Sequence, residues 1–88
     1  MKIEFRRSFL KDLKLIDDKG ILKRAREKIE EVKQAKSLSD ISNLKKLKGS
    51  GDYYRIRVGD YRFGIAVAGE NVIFVRFLNR KEIYKYFP

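Results

Sequence analysis

The sequence predicts an α+β fold in which a hairpin of two helices packs on one face of a small, mainly antiparallel sheet. Apolar residues alternate with polar ones at the start of the chain, then recur at helical spacing, and alternate again in three consecutive segments of the second half. The joints between these last segments are very short, which favours neighbouring antiparallel strands. The predicted order is therefore β-α-α-β-β-β, with the helices covering one face of the sheet.

The first half of the chain predicts one strand and two helices. "MKIEF" alternates like a strand, and Ser8 is the expected N-cap of a short helix that reaches about Ile16. "DDKG" ends that helix, with Gly20 suited to a turn. A second helix is expected from Ile21 to about Lys36, with one apolar stripe. We interpret the charged residues on its other faces as a solvated surface.

The second half predicts a connector and a three-stranded meander. "SLSDISNLKKLKGSGD" is the connector, and its leucine and isoleucine residues are expected to pin it to the core. The strands are "YYRIRV", "YRFGIAVA" and "VIFVRFL", joined by "GD" and "GEN". The final segment, "NRKEIYKYFP", is too short for a long helix and is expected to form a single turn or an extended tail.

The two-residue "GD" turn fixes which side chains share a face of the sheet, because side chains alternate with period two. It places Arg55, Arg57 and Arg62 on one face, over the small residues Gly64 and Ala66, which predicts a shallow basic hollow. The opposite face is large and apolar and should meet the helices. Its predicted members are Tyr54, Ile56, Val58, Tyr61, Phe63 and Ile65.

The third strand of the meander adds Arg76, whose direction depends on the length of the second loop. A three-residue "GEN" loop places Arg76 opposite Gly64, on the face of the arginines, whereas a two-residue loop would turn Arg76 into the core. Because an unpaired buried guanidinium is costly, the first register is preferred.

Composition narrows the range of functions. The 88 residues predict one domain, 1–88, and the lack of Cys and His argues against disulfides, zinc sites, thiol nucleophiles and imidazole catalysis, so neither metal nor cofactor is expected. No signal peptide or membrane span is apparent, and a cytoplasmic location is expected. The net charge of +10 suits a polyanionic partner.

The arginine-lined face is best interpreted as a binding site for phosphate groups. Like charges directly opposite each other destabilise a sheet, and the acidic residues nearest to these strands lie in loops. The following segment adds Arg80, Tyr84 and Tyr86, and a phenol can stack on a base or bind a phosphate. The pattern indicates single-stranded RNA, or another flexible nucleic acid, held by its phosphates and by a stacked base. The remaining candidates for contact with RNA are Lys45, Lys46, Lys48, Tyr53, Arg76, Lys81 and Lys85.

Over nearly its whole length the chain resembles the RelE/ParE superfamily of toxins from toxin–antitoxin systems. The resemblance lies in the element order, in the lead-in "LKKLKGSGDYYRIRVGDYRFGIAV" and in the ending "VRFLNRKEIYKYF". It implies a toxin that cleaves mRNA in the ribosomal A site, with the 2′-hydroxyl of the substrate as nucleophile. It also implies a cognate acidic antitoxin as protein partner, in a toxin–antitoxin hetero-oligomer.

The resemblance also implies roles for individual residues. Arg55 and Arg57 occupy positions where RelE-like toxins carry basic catalytic residues on the second strand. Arg62 matches a phosphate-binding arginine. Arg80 matches the arginine that serves the leaving 5′-oxygen or the phosphate. A C-terminal tyrosine of the family orients or stacks on the substrate, and spacing leaves Tyr84 and Tyr86 as alternatives.

Two features depart from the family pattern, and two other functions stay open. Many relatives carry a histidine where this chain has Asn79, and lysine is common where it has Arg55 and Arg57. Arginine stays protonated and is a poor general base, so the proton acceptor could be a tyrosine, a water, a ribosomal RNA group or a transiently deprotonated arginine. The alternatives are a ParE-like inhibitor of DNA gyrase and a basic RNA-binding relative without catalysis.

Overall fold

The computed structural model describes residues 1–49 and 51–88, and Ser50, which belongs to the predicted connector, lies outside the described residues. The predicted order is confirmed, with one short strand added in the connector and one helical turn near the C-terminus. The strands are β1 (Lys2–Phe5), β2 (Leu44–Lys46), β3 (Tyr53–Val58), β4 (Tyr61–Ala68) and β5 (Asn71–Asn79). The helices are α1 (Arg7–Lys14), α2 (Lys19–Gln34) and α3 (Ile83–Tyr86), and a single 3-10 turn spans Leu38–Asp40.

Both main helices begin earlier than the sequence predicts. The N-cap of α1 is Arg6 rather than Ser8, because the Ser8 hydroxyl donates instead to the carbonyl oxygen of Val75 on β5. The N-cap of α2 is Asp18, whose carboxylate accepts from the N–H groups of Gly20 and Ile21 at 2.9 and 3.1 Å. Gly20 therefore lies in the first turn of α2 and not in a loop. Among the described residues, no helix is long and apolar enough to cross a membrane.

The strands form one sheet in the order β1-β5-β4-β3-β2. β1 runs parallel to β5, and the other neighbours are antiparallel. The short β2 pairs with β3, so part of the predicted connector is an edge strand. The register of β3 and β4 is the predicted one, with Arg57 opposite Arg62 and Arg55 opposite Gly64.

The core lies between the helices and the predicted apolar face of the sheet. Phe9 of α1 contacts Phe63, Phe74 and Phe77, with ring centroids 5.4 to 5.9 Å apart. These four rings are almost fully buried, and Ile56 of β3 lies in the same cluster. Burying side chains of this size stabilises the fold by about 1.5–3 kcal/mol each. This packing holds the β3–β4 hairpin rigidly and so fixes what its other face presents.

Arg76 lies opposite Gly64 as predicted, but for a different reason. The β4–β5 turn has two residues, since Ala68 pairs with Asn71, and a regular ladder after such a turn would send Arg76 into the core. A β-bulge shifts the register by one residue, because Ile65 pairs with Phe74 whereas Gly64 pairs with Arg76. The shift returns Arg76 to the face of the other arginines. The extra residue is Val75. Its carbonyl oxygen accepts a hydrogen bond from the Ser8 hydroxyl of α1.

The C-terminal segment covers part of the second face of the sheet. α3 is the single helical turn that the sequence allowed, and its first residue, Ile83, and the residue that follows it, Phe87, are buried. A Cβ atom added to Gly64 would lie 2.6 Å from Phe87 Cγ, so the Phe87 ring rests directly on the glycine. The expectation of an open hollow over Gly64 is wrong, because this ring fills it.

Candidate functional site

Four arginines converge at the end of the sheet where β3 turns into β4. Arg57 and Arg62 face each other across the two strands, and Arg55 lies two residues earlier on the same face as Arg57. Arg80 joins them because its backbone N–H donates to the carbonyl oxygen of Asp60 in the turn, at 2.8 Å. The structure therefore brings together the four arginines that sequence analysis selected.

The turn itself orients Arg62. Gly59 has a φ of +60°, as the first central residue of this type of two-residue hairpin requires. Arg62 Nη1 donates to the carbonyl oxygens of Gly59 and Tyr61, each at 2.9 Å. One end of the guanidinium is thus held by the hairpin, and Arg62 is half-buried.

The positive charges of this cluster act on one another. Burial lowers the pKa of the Arg62 guanidinium below its ordinary value, and the charge of Arg55 lowers this pKa further. Arg57 and Arg80 act in the same direction, whereas Tyr84 acts in the opposite one. An arginine remains protonated despite such a shift, so the result is a site that repels itself and favours an anion.

Asn43, just before β2, braces the other two arginines. It has a φ of +63°, which asparagine tolerates better than most residues. Its carbonyl oxygen accepts from the Arg57 backbone N–H at 3.1 Å and from Arg55 Nη1 at 3.2 Å, and its side-chain oxygen lies 3.4 Å from Arg57 Nη2. The Nε atom of Arg55 is buried without a hydrogen-bond partner in the described part of the chain.

A groove of about 700 Å³ runs between this arginine cluster and α2. The wall that α2 contributes was not predicted, because the charges of a solvated helix face and of a groove wall have the same pattern in the sequence. The signal was present in the spacing, since these residues recur at i, i+3, i+4 and i+7 and so share one face of a helix. They are Arg24, Glu27, Lys28 and Glu31.

The acidic residues of this wall have different surroundings. Glu31 accepts three hydrogen bonds: from Lys28 Nζ at 2.9 Å, and from the backbone N–H and hydroxyl of Ser42 at 2.7 and 2.9 Å. Burial alone would raise the pKa of the Glu31 carboxyl, but these hydrogen bonds together outweigh it and lower the pKa below its ordinary value. Glu31 thus ties α2 to the segment before β2. Glu27 and Asp60 line the groove as exposed carboxylates.

The structure separates the two candidate tyrosines. Both are exposed, Tyr84 by 60% and Tyr86 by 56%. Tyr84 lines a cleft of about 380 Å³ together with Phe87 and three lysines, among them Lys45, which lies opposite Arg55 in the sheet. Tyr86 instead lies against Arg76, whose guanidinium carbon is 5.8 Å from the centre of the ring. Tyr84 is therefore the tyrosine beside the arginine cluster.

The three lysines of that cleft occupy different places around β2. Lys45 pairs with Arg55 across the β2–β3 ladder, so it shares the arginine face. Lys46 pairs with Tyr54 and forms an exposed ion pair with Asp52 at 3.8 Å. Lys48 is exposed in the cleft. A basic strip therefore continues from the arginine cluster past Tyr84 to the edge of the sheet.

The other candidates for RNA contact have a structural partner or lie apart. Arg76 forms a two-pronged ion pair with the buried Asp12, and this contact raises the pKa of Arg76 above its ordinary value. Tyr53 packs edge-on against Phe87, with ring centroids 5.7 Å apart. Lys81 and Lys85 are exposed around α3.

Asn79 stabilises the chain where it leaves β5. Its side-chain oxygen accepts from the Lys81 backbone N–H at 3.0 Å. This local turn follows directly on the strand and places Arg80 beside Asp60. The residue that departs from the family pattern therefore has a structural role in orienting Arg80.

The chain matches a known protein family over nearly its whole length. The sequence model of the family described as the ParE toxin of the type II toxin–antitoxin system parDE matches residues 3–84. The protein is thus a toxin of a type II toxin–antitoxin system.

A related sequence shows the relationship of the chain to RelE. It is 51% identical over 89 residues to Toxin RelE3 of Methanocaldococcus jannaschii, and the match covers 100% of both chains. The chain belongs to the ParE toxin family within the RelE/ParE superfamily, and it is a homologue of RelE.

Solved structures agree with this assignment. The toxin in the RelB–RelE antitoxin–toxin complex from Methanococcus jannaschii superposes with a TM-score of 0.80 and 49% identity, covering 97% of this chain and 99% of that one. The archaeal RelE–RelB complex from Pyrococcus horikoshii OT3 contains a chain with a TM-score of 0.72 at 23% identity, over 90% of this chain and 93% of that one. The second likeness shows the fold alone. The predicted α+β fold and superfamily are confirmed.

Proposed function

We propose that this toxin is an endoribonuclease that cleaves mRNA in the decoding A site of translating ribosomes. The convergence of Arg57, Arg62 and Arg80 at one groove, with Arg55 close by on the same face of the sheet, carries the proposal. Four mutually repelling guanidinium groups suit a polyphosphate backbone. The substrate's own 2′-hydroxyl attacks the scissile phosphate and leaves a 2′,3′-cyclic phosphate. Since translating ribosomes are cytoplasmic, so is the proposed site of action.

In this reaction the arginines supply electrostatic stabilisation and not proton transfer. Negative charge grows on the phosphate oxygens and on the leaving 5′-oxygen, and fixed donors around those atoms stabilise the transition state more than the ground state. Arg62 suits the scissile phosphate because the hairpin holds its guanidinium in place. Arg80, on the far side of the turn, suits the leaving oxygen.

Tyr84 and the groove carboxylates complete the proposed site. Tyr84 offers an exposed ring on which a base of the mRNA can stack, in the cleft that Lys45 joins to the arginine face. Proton acceptance needs a group that is deprotonated at neutral pH, which arginine is not. The exposed carboxylates of Glu27 and Asp60 line the same groove and meet that requirement, whereas the Glu31 carboxylate already accepts three hydrogen bonds.

The decisive experiment is translation in a cell-free system, followed by mapping of mRNA 5′ ends. The wild-type protein should produce new ends within translated codons, and only when ribosomes are translating. Arg62→Ala and Arg80→Ala should each reduce cleavage by about 10²–10³-fold, the usual cost of removing one such donor. Arg26→Ala, on another face of α2, is the matched control and should cleave normally. Intact mRNA with the wild-type protein would rule out this function.

A cognate acidic antitoxin is the proposed protein partner. The related toxins were solved as RelB–RelE complexes, and the net charge of +10 on this chain favours an acidic binding segment. We expect a toxin–antitoxin hetero-oligomer. Co-expression with the product of an adjacent small acidic gene should restore growth and yield a stable complex. Failure of every acidic neighbour to bind would contradict this part of the proposal.

Inhibition of DNA gyrase is the second candidate function, because the matching family model is that of a ParE toxin. A supercoiling assay with purified gyrase separates the two activities. We expect no inhibition, since an inhibitor that only binds protein has no need of a cluster of four mutually repelling arginines. Inhibition by wild type and by Arg62→Ala alike would favour the gyrase function.

A further inference from the structure

The C-terminal segment, α3 together with Phe87, is attached to the sheet by few contacts. Ile83 and Phe87 are its buried side chains, whereas Tyr84, Lys85 and Tyr86 are exposed. Its helix is a single turn, closed by a hydrogen bond of 2.9 Å from the Phe87 N–H to the Ile83 carbonyl oxygen. A helix this short is not stable by itself, so its position depends on where these two side chains pack.

Phe87 is seated in a socket that only a glycine permits. The ring is 4% exposed, and a Cβ atom at Gly64 would approach three of its atoms to 2.6, 2.7 and 2.9 Å. Tyr53 closes one side of the socket, with its ring edge-on to that of Phe87. These atoms belong to the base of the ring rather than to a flexible end. Any side chain at position 64 would therefore push Phe87 out.

A second support lies under the same segment. The Tyr86 ring rests against the Arg76 guanidinium at 5.8 Å. Arg76 is fixed in turn by Asp12, whose carboxylate accepts from Arg76 Nε at 2.7 Å and from the Phe77 backbone N–H at 2.9 Å. Arg76 lies directly opposite Gly64 in the sheet, so both supports belong to one rung of the β4–β5 ladder.

We infer that Phe87, seated on Gly64, is a positioning residue that holds the Tyr84 ring beside the arginine cluster. Tyr84 lies three residues before Phe87, on the exposed side of the same helical turn, and both residues line the cleft that contains Lys45. Lys45 pairs with Arg55, which joins this cleft to the arginine face. Loss of the socket contact releases Tyr84 without touching the arginines. The inference rests on the proposed cleavage activity and names the residue that aligns part of that site.

Hydrogen exchange tests the socket independently of any activity. In Phe87→Ala and in Gly64→Ala the amide of residue 87 should exchange faster than in wild type, because the helical turn loses its anchor. Phe87→Leu should also exchange faster than wild type. The double variant with Gly64→Ala and Phe87→Leu, however, should exchange more slowly at residue 87 than Gly64→Ala alone, since the smaller side chain makes room for the added methyl group. Phe5→Ala, which removes a half-exposed ring far from this segment, is the matched control and should change nothing at residue 87.

Cleavage of mRNA on ribosomes tests the link to Tyr84. Phe87→Ala should lower the cleavage rate to about that of Tyr84→Ala, by up to about 100-fold, since a shift of about 1 Å in a positioning group can cost that much. The double variant should be no slower than Tyr84→Ala alone, because Phe87 acts only through that ring. A role in stability alone would lower the rate again in the double variant.

The outcomes separate this inference from the proposed function. If wild type fails to cleave mRNA, the proposed function fails, and the exchange data still show whether Phe87 anchors the helical turn. If wild type cleaves and a folded Phe87→Ala variant cleaves equally well, the inference is overturned. Two other results would overturn it. One is a cleavage rate in the Phe87→Ala, Tyr84→Ala double variant that falls by the product of the two single losses. The other is faster exchange at residue 87 on Phe87→Leu in the Gly64→Ala background as well as in wild type.

Discussion

Replacement of Arg57 by glutamine should make the protein more stable and less active at the same time. Arg57 is exposed, lies directly opposite Arg62 and is close to Arg55 on the same face. Its single side-chain hydrogen bond in the described structure, to the Asn43 side chain at 3.4 Å, is long and weak. Glutamine keeps much of the length of the side chain and removes the charge, so the change isolates the repulsion.

The size of the stability gain follows from the position of Arg57 in the ladder. A like-charge pair directly opposite on two strands costs up to about 1 kcal/mol, and the exposure of Arg57 to water places the cost of this pair near the middle of that range, about 0.5 kcal/mol. Loss of the weak hydrogen bond reduces the gain, so the net gain is at most about 0.5 kcal/mol. In a domain of this size that corresponds to a rise in Tm of at most about 2–4 °C. Cleavage should fall by about 10²-fold, since one transition-state donor is removed.

Thermal unfolding followed by circular dichroism at two salt concentrations measures the effect. The rise should be largest in about 0.01 M salt, where the Debye length is about 30 Å, and should nearly vanish in about 1 M salt, where it is about 3 Å. Arg26→Gln is the matched control, because Arg26 is one turn from Glu30 on α2 and lines a different pocket from the arginine cluster. A lower Tm in Arg57→Gln, or a gain that persists unchanged in 1 M salt, would refute the claim that the cluster strains the fold.

Three further outcomes are expected. Asp12→Asn should lower the free energy of unfolding, measured in urea, by about 2–3 kcal/mol. This is less than the usual cost of breaking a buried ion pair, because the Arg76 side chain is 27% exposed. Asp17→Asn, at an exposed position, should change the free energy of unfolding little. Because the folded-state pKa of Glu31 is lowered, its contribution to stability is present above its unfolded pKa of about 4.3 and is lost as pH falls through the folded value. The Tm difference between wild type and Glu31→Gln should thus shrink below about pH 4. Arg80→Ala should reduce the salt slope of binding to single-stranded RNA by about 0.7, and an unchanged slope would place Arg80 away from the phosphates.

The face shared by the arginines could be predicted from the sequence because only local rules determine it. A two-residue turn and the alternation of side chains fix the whole β3–β4 register, and the structure confirms every rung from Val58–Tyr61 to Tyr53–Ala66. The large apolar residues on the other face agree with the same register, so two independent signals point one way. Local rules of this kind do not depend on the rest of the chain.

The features that the sequence did not predict depend on contacts between distant segments. The bulge at Val75 is stabilised by the Ser8 hydroxyl, 67 residues earlier in the chain, and no pattern within β5 reveals it. The filled hollow over Gly64 depends on Phe87, whose ring reaches back across the sheet. The Glu27 side of the groove was missed because an exposed helix face looks alike whether it meets solvent or a neighbouring site.

The two halves of the proposed site differ in how firmly the fold holds them. The arginines extend from a hairpin whose other face is fixed by Ile56 and Phe63 in the core, so their mutual repulsion cannot relax by moving the strands. Tyr84 extends from a single helical turn that depends on Ile83 and Phe87. In the proposed reaction, a rigid cluster of like charges is preorganised for the charge that develops during cleavage, at a constant cost in stability. A stacking ring on a short segment can instead adjust to each base that the proposed mRNA substrate presents.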